Sequence, residues 1–222
     1  MQVRLVSHSV PTEQFRIEGI EDTQDLVAFC ARVSNPGNQN NKKTADKLVQ
    51  YLIKNNHWSP LEMASACLEI TTTRDIARQI LRHRSFSFQE FSQRYADPKE
   101  FGDQFVTREA RLQDTVNRQN SIETDNMALH ALWEQYQQKV IDQCKDAYEW
   151  AINNGIAKEQ ARSVLPEGLT KSRLYMNGTL RSWIHYIELR SANGTQKEHM
   201  EIAKECARVI AHIFPMSETF VE

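Results

Sequence analysis

Residues 82–95 hold three arginines, one histidine and one glutamate, with three serines and four aromatic residues among them. A guanidinium is a charged planar fork that suits phosphate and carboxylate groups, so arginines gathered this densely need anions as partners. Glu90 alone cannot neutralise Arg82, Arg84 and Arg94, and an anionic ligand is the simplest supplier of the remaining charge. Just upstream, Arg74, Arg78 and Arg82 recur every four residues, which puts them on one face of a helix over residues 73–81, with Ile76, Ala77, Ile80 and Leu81 on another. In many proteins such a stripe is only a solvated surface. Here it runs into His83, Arg84, Ser85, Ser87, Ser92 and Arg94, while Phe86, Phe88 and Phe91 supply anchors that would hold a polar loop rigid.

Arg82-His83-Arg84, a gap of seven residues, then Ser92 and Arg94-Tyr95 resembles the signature of the flavin-dependent thymidylate synthases. Two further blocks resemble that family's second and third signatures: Arg162 shortly before Leu165-Pro166, and Arg181, His185 and Arg190 along a helix. His57-Trp58-Ser59-Pro60-Leu61-Glu62 is similar to the family's loop that lies against the flavin. The chain departs from the usual pattern at Thr179, where asparagine is common. The resemblance spans most of the chain and is weakest over residues 97–155.

That resemblance implies an enzyme with an α+β fold of the thymidylate synthase-complementing type: one domain, residues 1–222, of long helices packed around a small β-sheet. The implied reaction makes dTMP from dUMP, with methylenetetrahydrofolate as one-carbon donor and a tightly bound FAD, reduced by NADPH, as hydride source. It also implies a homotetramer whose subunits share active sites. Residue by residue, dUMP is expected against Gln79, Arg82, Glu90, Ser92, Gln93, Arg94, Arg162 and Arg190. FAD is expected against His57, Ser59, Arg82, His83, Arg84, Glu90, Arg181 and His185. Arg190 would favour loss of the uracil N3 proton and so make C5 a better nucleophile. Ser92 is the other catalytic candidate, as a binding and orienting hydroxyl rather than a nucleophile, because no base can be placed beside it from the sequence. No metal is expected, and no cysteine sits in a basic segment able to activate it.

The rest of the chain must position these residues. Its 222 residues, 40% hydrophobic and 25% charged with a net charge of -2, describe a soluble globular domain without the net basic surface of a general nucleic-acid binder. Intact Ser92, Arg162 and Arg190 speak against a binding protein that has lost turnover. Cys30, Cys67, Cys144 and Cys206 form no Cys-x-x-Cys pair, and no long apolar run suggests a signal peptide or a membrane span, so a cytoplasmic protein is expected. Hydrophobic periodicity predicts a strand over 1–8, helices over 22–33 and 42–56, and a strand over 63–73 that delivers the arginine helix. Residues 97–120 read as a loop or lid, and 121–153 as a long helix ended by Asn154-Gly155. Two more helices, over 176–190 and 195–214, complete the pattern, the last of them structural.

Overall fold

In the computed structural model, which describes residues 1–221, the chain opens with strand β1 (Gln2–His8), the short helix α1 (Glu13–Ile17), and helices α2 (Thr23–Ala31) and α3 (Ala45–Lys54). Strand β2 (Ser65–Thr73) runs directly into helix α4 (Arg74–Ile80), and a short strand β3 (Ser87–Glu90) follows. Strands β4 (Arg111–Gln113) and β5 (Ser121–Glu123) form a hairpin ahead of the 27-residue helix α5 (Met127–Asn153) and the single turn α6 (Lys158–Ala161). Strand β6 (Lys171–Thr179) runs directly into helix α7 (Leu180–Ser191), and helix α8 (Lys197–Ile210) comes last.

The main sheet is antiparallel with strand order β1-β2-β6-β3. β2 and β6 pair over nine residues each, from Ser65 opposite Thr179 to Thr73 opposite Lys171. Leu68 and Ile70 of β2 and Leu174 and Met176 of β6 enter one core with Trp183 and Ile187 of α7 and Ile202 and Ile210 of α8. Each such aliphatic side chain stabilises the fold by about 1.5–3 kcal/mol when fully buried. The Trp183 indole N–H donates to the Ala66 carbonyl at 3.0 Å, so the largest core side chain leaves no polar atom unpaired.

The α+β architecture around a small sheet is as expected, and four boundaries differ. Residues 171–179, the first part of which lay outside any predicted element and the rest in the predicted helix over 176–190, form a central strand. Their inward positions include Ser172 and Gly178, which blur an alternating apolar signal. Ser87–Glu90, expected within a loop, is an edge strand on β6. The long helix begins at Met127 rather than residue 121, capped by the Asn126 side chain, because 121–123 pairs with 111–113. Residues 97–120 are therefore only partly irregular, and Pro98, Phe105 and Ala110 within them are buried. Along α5, Leu132, Trp133, Tyr136 and Val140 are 52%, 45%, 60% and 45% exposed, an apolar stripe that the rest of the chain does not cover. Among the described residues no helix is long and apolar enough to cross a membrane.

Candidate functional site

β2 hands the chain to α4 with no linker, so the sheet sets where the arginine stripe begins. Arg74, expected on the charged face, is buried at 6% exposure. Its Nε donates to Glu167 at 3.2 Å, and Arg78 Nε donates to the other oxygen of Glu167 at 3.0 Å. Glu90 lies 3.9 Å from Arg74 and 3.6 Å from Arg78 and also accepts from Ser172 Oγ at 2.9 Å. Two arginines thus meet two carboxylates, and the partner that sequence reasoning missed is Glu167 from the turn before β6. Burial pushes the Glu167 carboxyl up, but the bonds and charges of Arg78 and Arg74 outweigh it and hold it below the ordinary range. Glu90, a candidate for both ligands, is committed to this internal box.

The remaining candidates fall into three groups. In the first, α4 and the segment after it meet the last turn of α7. Arg190 does not pair with Glu188; its Nε donates to His83 Nε2 at 2.9 Å. The His83 ring stands edge-on to Tyr186 at 4.9 Å. Burial first, then the Arg190 charge, lowers the His83 pKa to about 4, so the ring is neutral near pH 7 and can accept that bond. Gln79, one turn earlier, contacts Gln196 and the fully buried His199. His199 belongs to no motif, and Tyr186 lies within the third block without being one of its matching polar positions. His199 does share the spacing of Ile202, Ala203 and Cys206, which places a histidine on the buried face of α8, and that was the available signal.

The second group joins the turn after β3 to α6. The Arg94 backbone N–H donates to Ser92 Oγ at 3.4 Å, Arg94 Nε is 3.8 Å from the Glu159 carboxylate, and Arg162 Nε donates to the Glu159 carbonyl at 3.4 Å. Gln93 is 2% exposed and its Nε2 is a buried donor without a hydrogen-bond partner. The third group lies at the start of α7. The His185 ring packs on Trp58 at 4.4 Å, tilted by 60°, its Nδ1 is 3.7 Å from Glu188, and Arg181 pairs with Glu62 of the Ser59–Glu62 turn. His57 and Ser59 are exposed beside it, the former edge-on to Tyr51 at 5.9 Å. Thr179 caps α7, its hydroxyl accepting from the Ser182 N–H at 3.3 Å.

Among the described residues Arg82, Arg84, Arg162 and Arg190 pair with no carboxylate, whereas Arg74, Arg78, Arg94 and Arg181 do. Among the site candidates, the arginines without a carboxylate therefore follow α4 or sit at the C-terminal ends of α6 and α7. All four thiols are pushed up by burial, which disfavours a thiolate nucleophile.

The family described as Thymidylate synthase complementing protein matches residues 17–216. A probable flavin-dependent thymidylate synthase of Paramecium bursaria Chlorella virus 1 is 46% identical over 215 residues, covering 97% of this chain and 96% of the relative. A flavin-dependent thymidylate synthase of Synechocystis sp. is 47% identical over 216 residues with the same coverage. Among solved structures, a UMP/dUMP methylase PolB from Streptomyces cacaoi, bound with 5-Br dUMP, superposes with a TM-score of 0.80 at 26% identity, covering 99% of this chain and 93% of that one. With likeness this extensive in both sequence and fold, the chain belongs to the thymidylate synthase complementing protein family.

Proposed function

We propose that this protein is a flavin-dependent thymidylate synthase that methylates dUMP to dTMP, with methylenetetrahydrofolate as one-carbon donor and NADPH as reductant. The observation that carries the reading is the set of four arginines, Arg82, Arg84, Arg162 and Arg190, left without carboxylate partners in a chain of net charge -2. A nucleotide phosphate and a flavin pyrophosphate are the anions such forks suit. The names of the relatives and the dUMP analogue in the superposed methylase point the same way.

The residues fit FAD: Arg82 and Arg84 are exposed and unpaired, and His185 packs on the aromatic surface of Trp58, whose chain neighbour Ser59 is exposed. The hydride for the reaction would come from bound, reduced flavin. The chain's own task is binding and orientation. Arg162 and Arg94 would hold the nucleotide, with Ser92 fixing its position as a hydrogen-bonding hydroxyl. Arg190, tethered at Nε by neutral His83, keeps both Nη groups for the uracil ring, where a fixed positive charge favours the N3 anion. The exposed apolar stripe on α5 supports a homotetramer whose subunits complete one another's active sites. Four free cysteines fit a reducing cytoplasm.

The test is the visible spectrum of purified protein followed by an assay for dTMP from dUMP, methylenetetrahydrofolate and NADPH. Bound oxidised flavin and turnover are expected. A colourless protein that refuses added FAD overturns the reading.

A further inference from the structure

Gln79 sits on α4 between two groups that decide which way its side-chain amide points. Its Oε1 lies 3.2 Å from His199 Nδ1, and its Nε2 donates to Gln196 Oε1 at 2.7 Å. On the far side of the imidazole, His199 Nε2 is 3.1 Å from the Tyr186 hydroxyl, and Gln196 Nε2 donates to Glu198 at 2.9 Å.

An ionised carboxylate can only accept, so working back from Glu198 assigns every proton. Gln196 donates to Glu198 and accepts from Gln79, and Gln79 accepts from His199 Nδ1–H. The bare His199 Nε2 then accepts the Tyr186 O–H. The chain runs one way, from Tyr186 through His199, Gln79 and Gln196 to Glu198, and it ends on a carboxylate that Arg108 and Arg111 hold in place. His199 is 0% and Tyr186 1% exposed, so reversing a link would set donor against donor where water does not reach. Gln79 itself is only partly buried, and one N–H of its amide remains uncommitted.

We propose that His199, backed by the Tyr186 hydroxyl, is a positioning residue for nucleotide recognition: it locks the Gln79 amide so that its remaining N–H points at an acceptor oxygen of dUMP. This rests on the reading of Gln79 as a nucleotide contact. Tyr186 serves both sides of the site, since its ring also supports His83, which tethers Arg190. Phenylalanine at 186 would keep the ring and remove only the hydroxyl.

The experiment is steady-state kinetics on the FAD-loaded full chain with dUMP varied. His199→Leu should raise KM for dUMP about three- to tenfold, the worth of one hydrogen bond, with kcat changed less than about twofold and the flavin spectrum unaltered. His199→Asn, whose Nδ2–H can stand in for the imidazole Nδ1–H, should restore most of the affinity. Gln79→Ala should raise KM on its own, and adding His199→Leu to it should do no further harm. A normal KM in His199→Leu beside a raised one in Gln79→Ala overturns the proposal, as does an asparagine variant no better than leucine, or additive losses in the double variant. A normal KM in Gln79→Ala instead removes Gln79 from the nucleotide site, and the proposal falls with it. If His199→Leu does not fold, near-normal KM in His199→Asn with a raised KM in Tyr186→Phe supports the proposal, and the reverse pattern overturns it.

Discussion

Because Arg190 donates its Nε–H to His83, that histidine must stay neutral, and the fold enforces this by burying it beside a permanent positive charge. His199 is held neutral in the same way, its pKa lowered to about 3 by burial, then by Arg190 and His83. Both values lie below the ordinary 6.5, so between them the unfolded chain binds more protons than the folded one. Their effect on stability is therefore most favourable above pH 6.5 and is lost as pH falls toward about 4 and about 3. Urea midpoints measured from pH 7.5 to pH 5 should fall, and His199→Asn, which cannot titrate there, should flatten the fall; an equal slope in the variant would assign the loss to other groups. At this scale residue type was legible and partnership was not. The spacing of Arg82, His83 and Arg84 announced an anion site, but Arg74 finds Glu167 across 93 residues of sequence, a pairing that only the sheet creates.

At the scale of elements, the helices that carry an apolar stripe and a cap were readable: α2 begins at its Asp22 cap and α5 ends where Gly155 takes a φ of 76°. β6 was not, because its stability comes from two neighbouring strands rather than from its own residues. Gly178 shows what that strand contributes. A methyl group there would lie 2.6 Å from Phe86 Cε1, and Phe86 cannot retreat because its ring already packs on Trp183 at 4.8 Å and Tyr186 at 5.9 Å. Gly178→Ala should destabilise the protein by about 1–3 kcal/mol through overpacking, read as a lower denaturant midpoint. It should also weaken flavin retention, since Phe86 anchors the segment that holds Arg82, His83 and Arg84. Unchanged stability would mean that the Phe86 ring is freer than its packing indicates.

For the whole molecule, the uncovered stripe on α5 is the surface on which the proposed assembly can be tested. Replacing Trp133 and Tyr136 together by glutamate should yield smaller particles in sedimentation and loss of bound flavin in parallel; a small particle with full flavin content and turnover would detach the site from assembly. The two junctions at which β2 becomes α4 and β6 becomes α7 carry a different consequence, for how this chain can change in length. Each residue added to or removed from a helix turns everything beyond it by about 100°. With no loop between Thr73 and Arg74, or between Thr179 and Leu180, nothing can absorb such a change before it reaches Gln79 or Arg190. Insertions and deletions should therefore be fatal to function within 65–84 and 171–190, even where the altered protein folds. Residues 114–120, at the tip of the β4–β5 hairpin, are where the chain can grow or shrink while every arginine of the candidate site keeps its place.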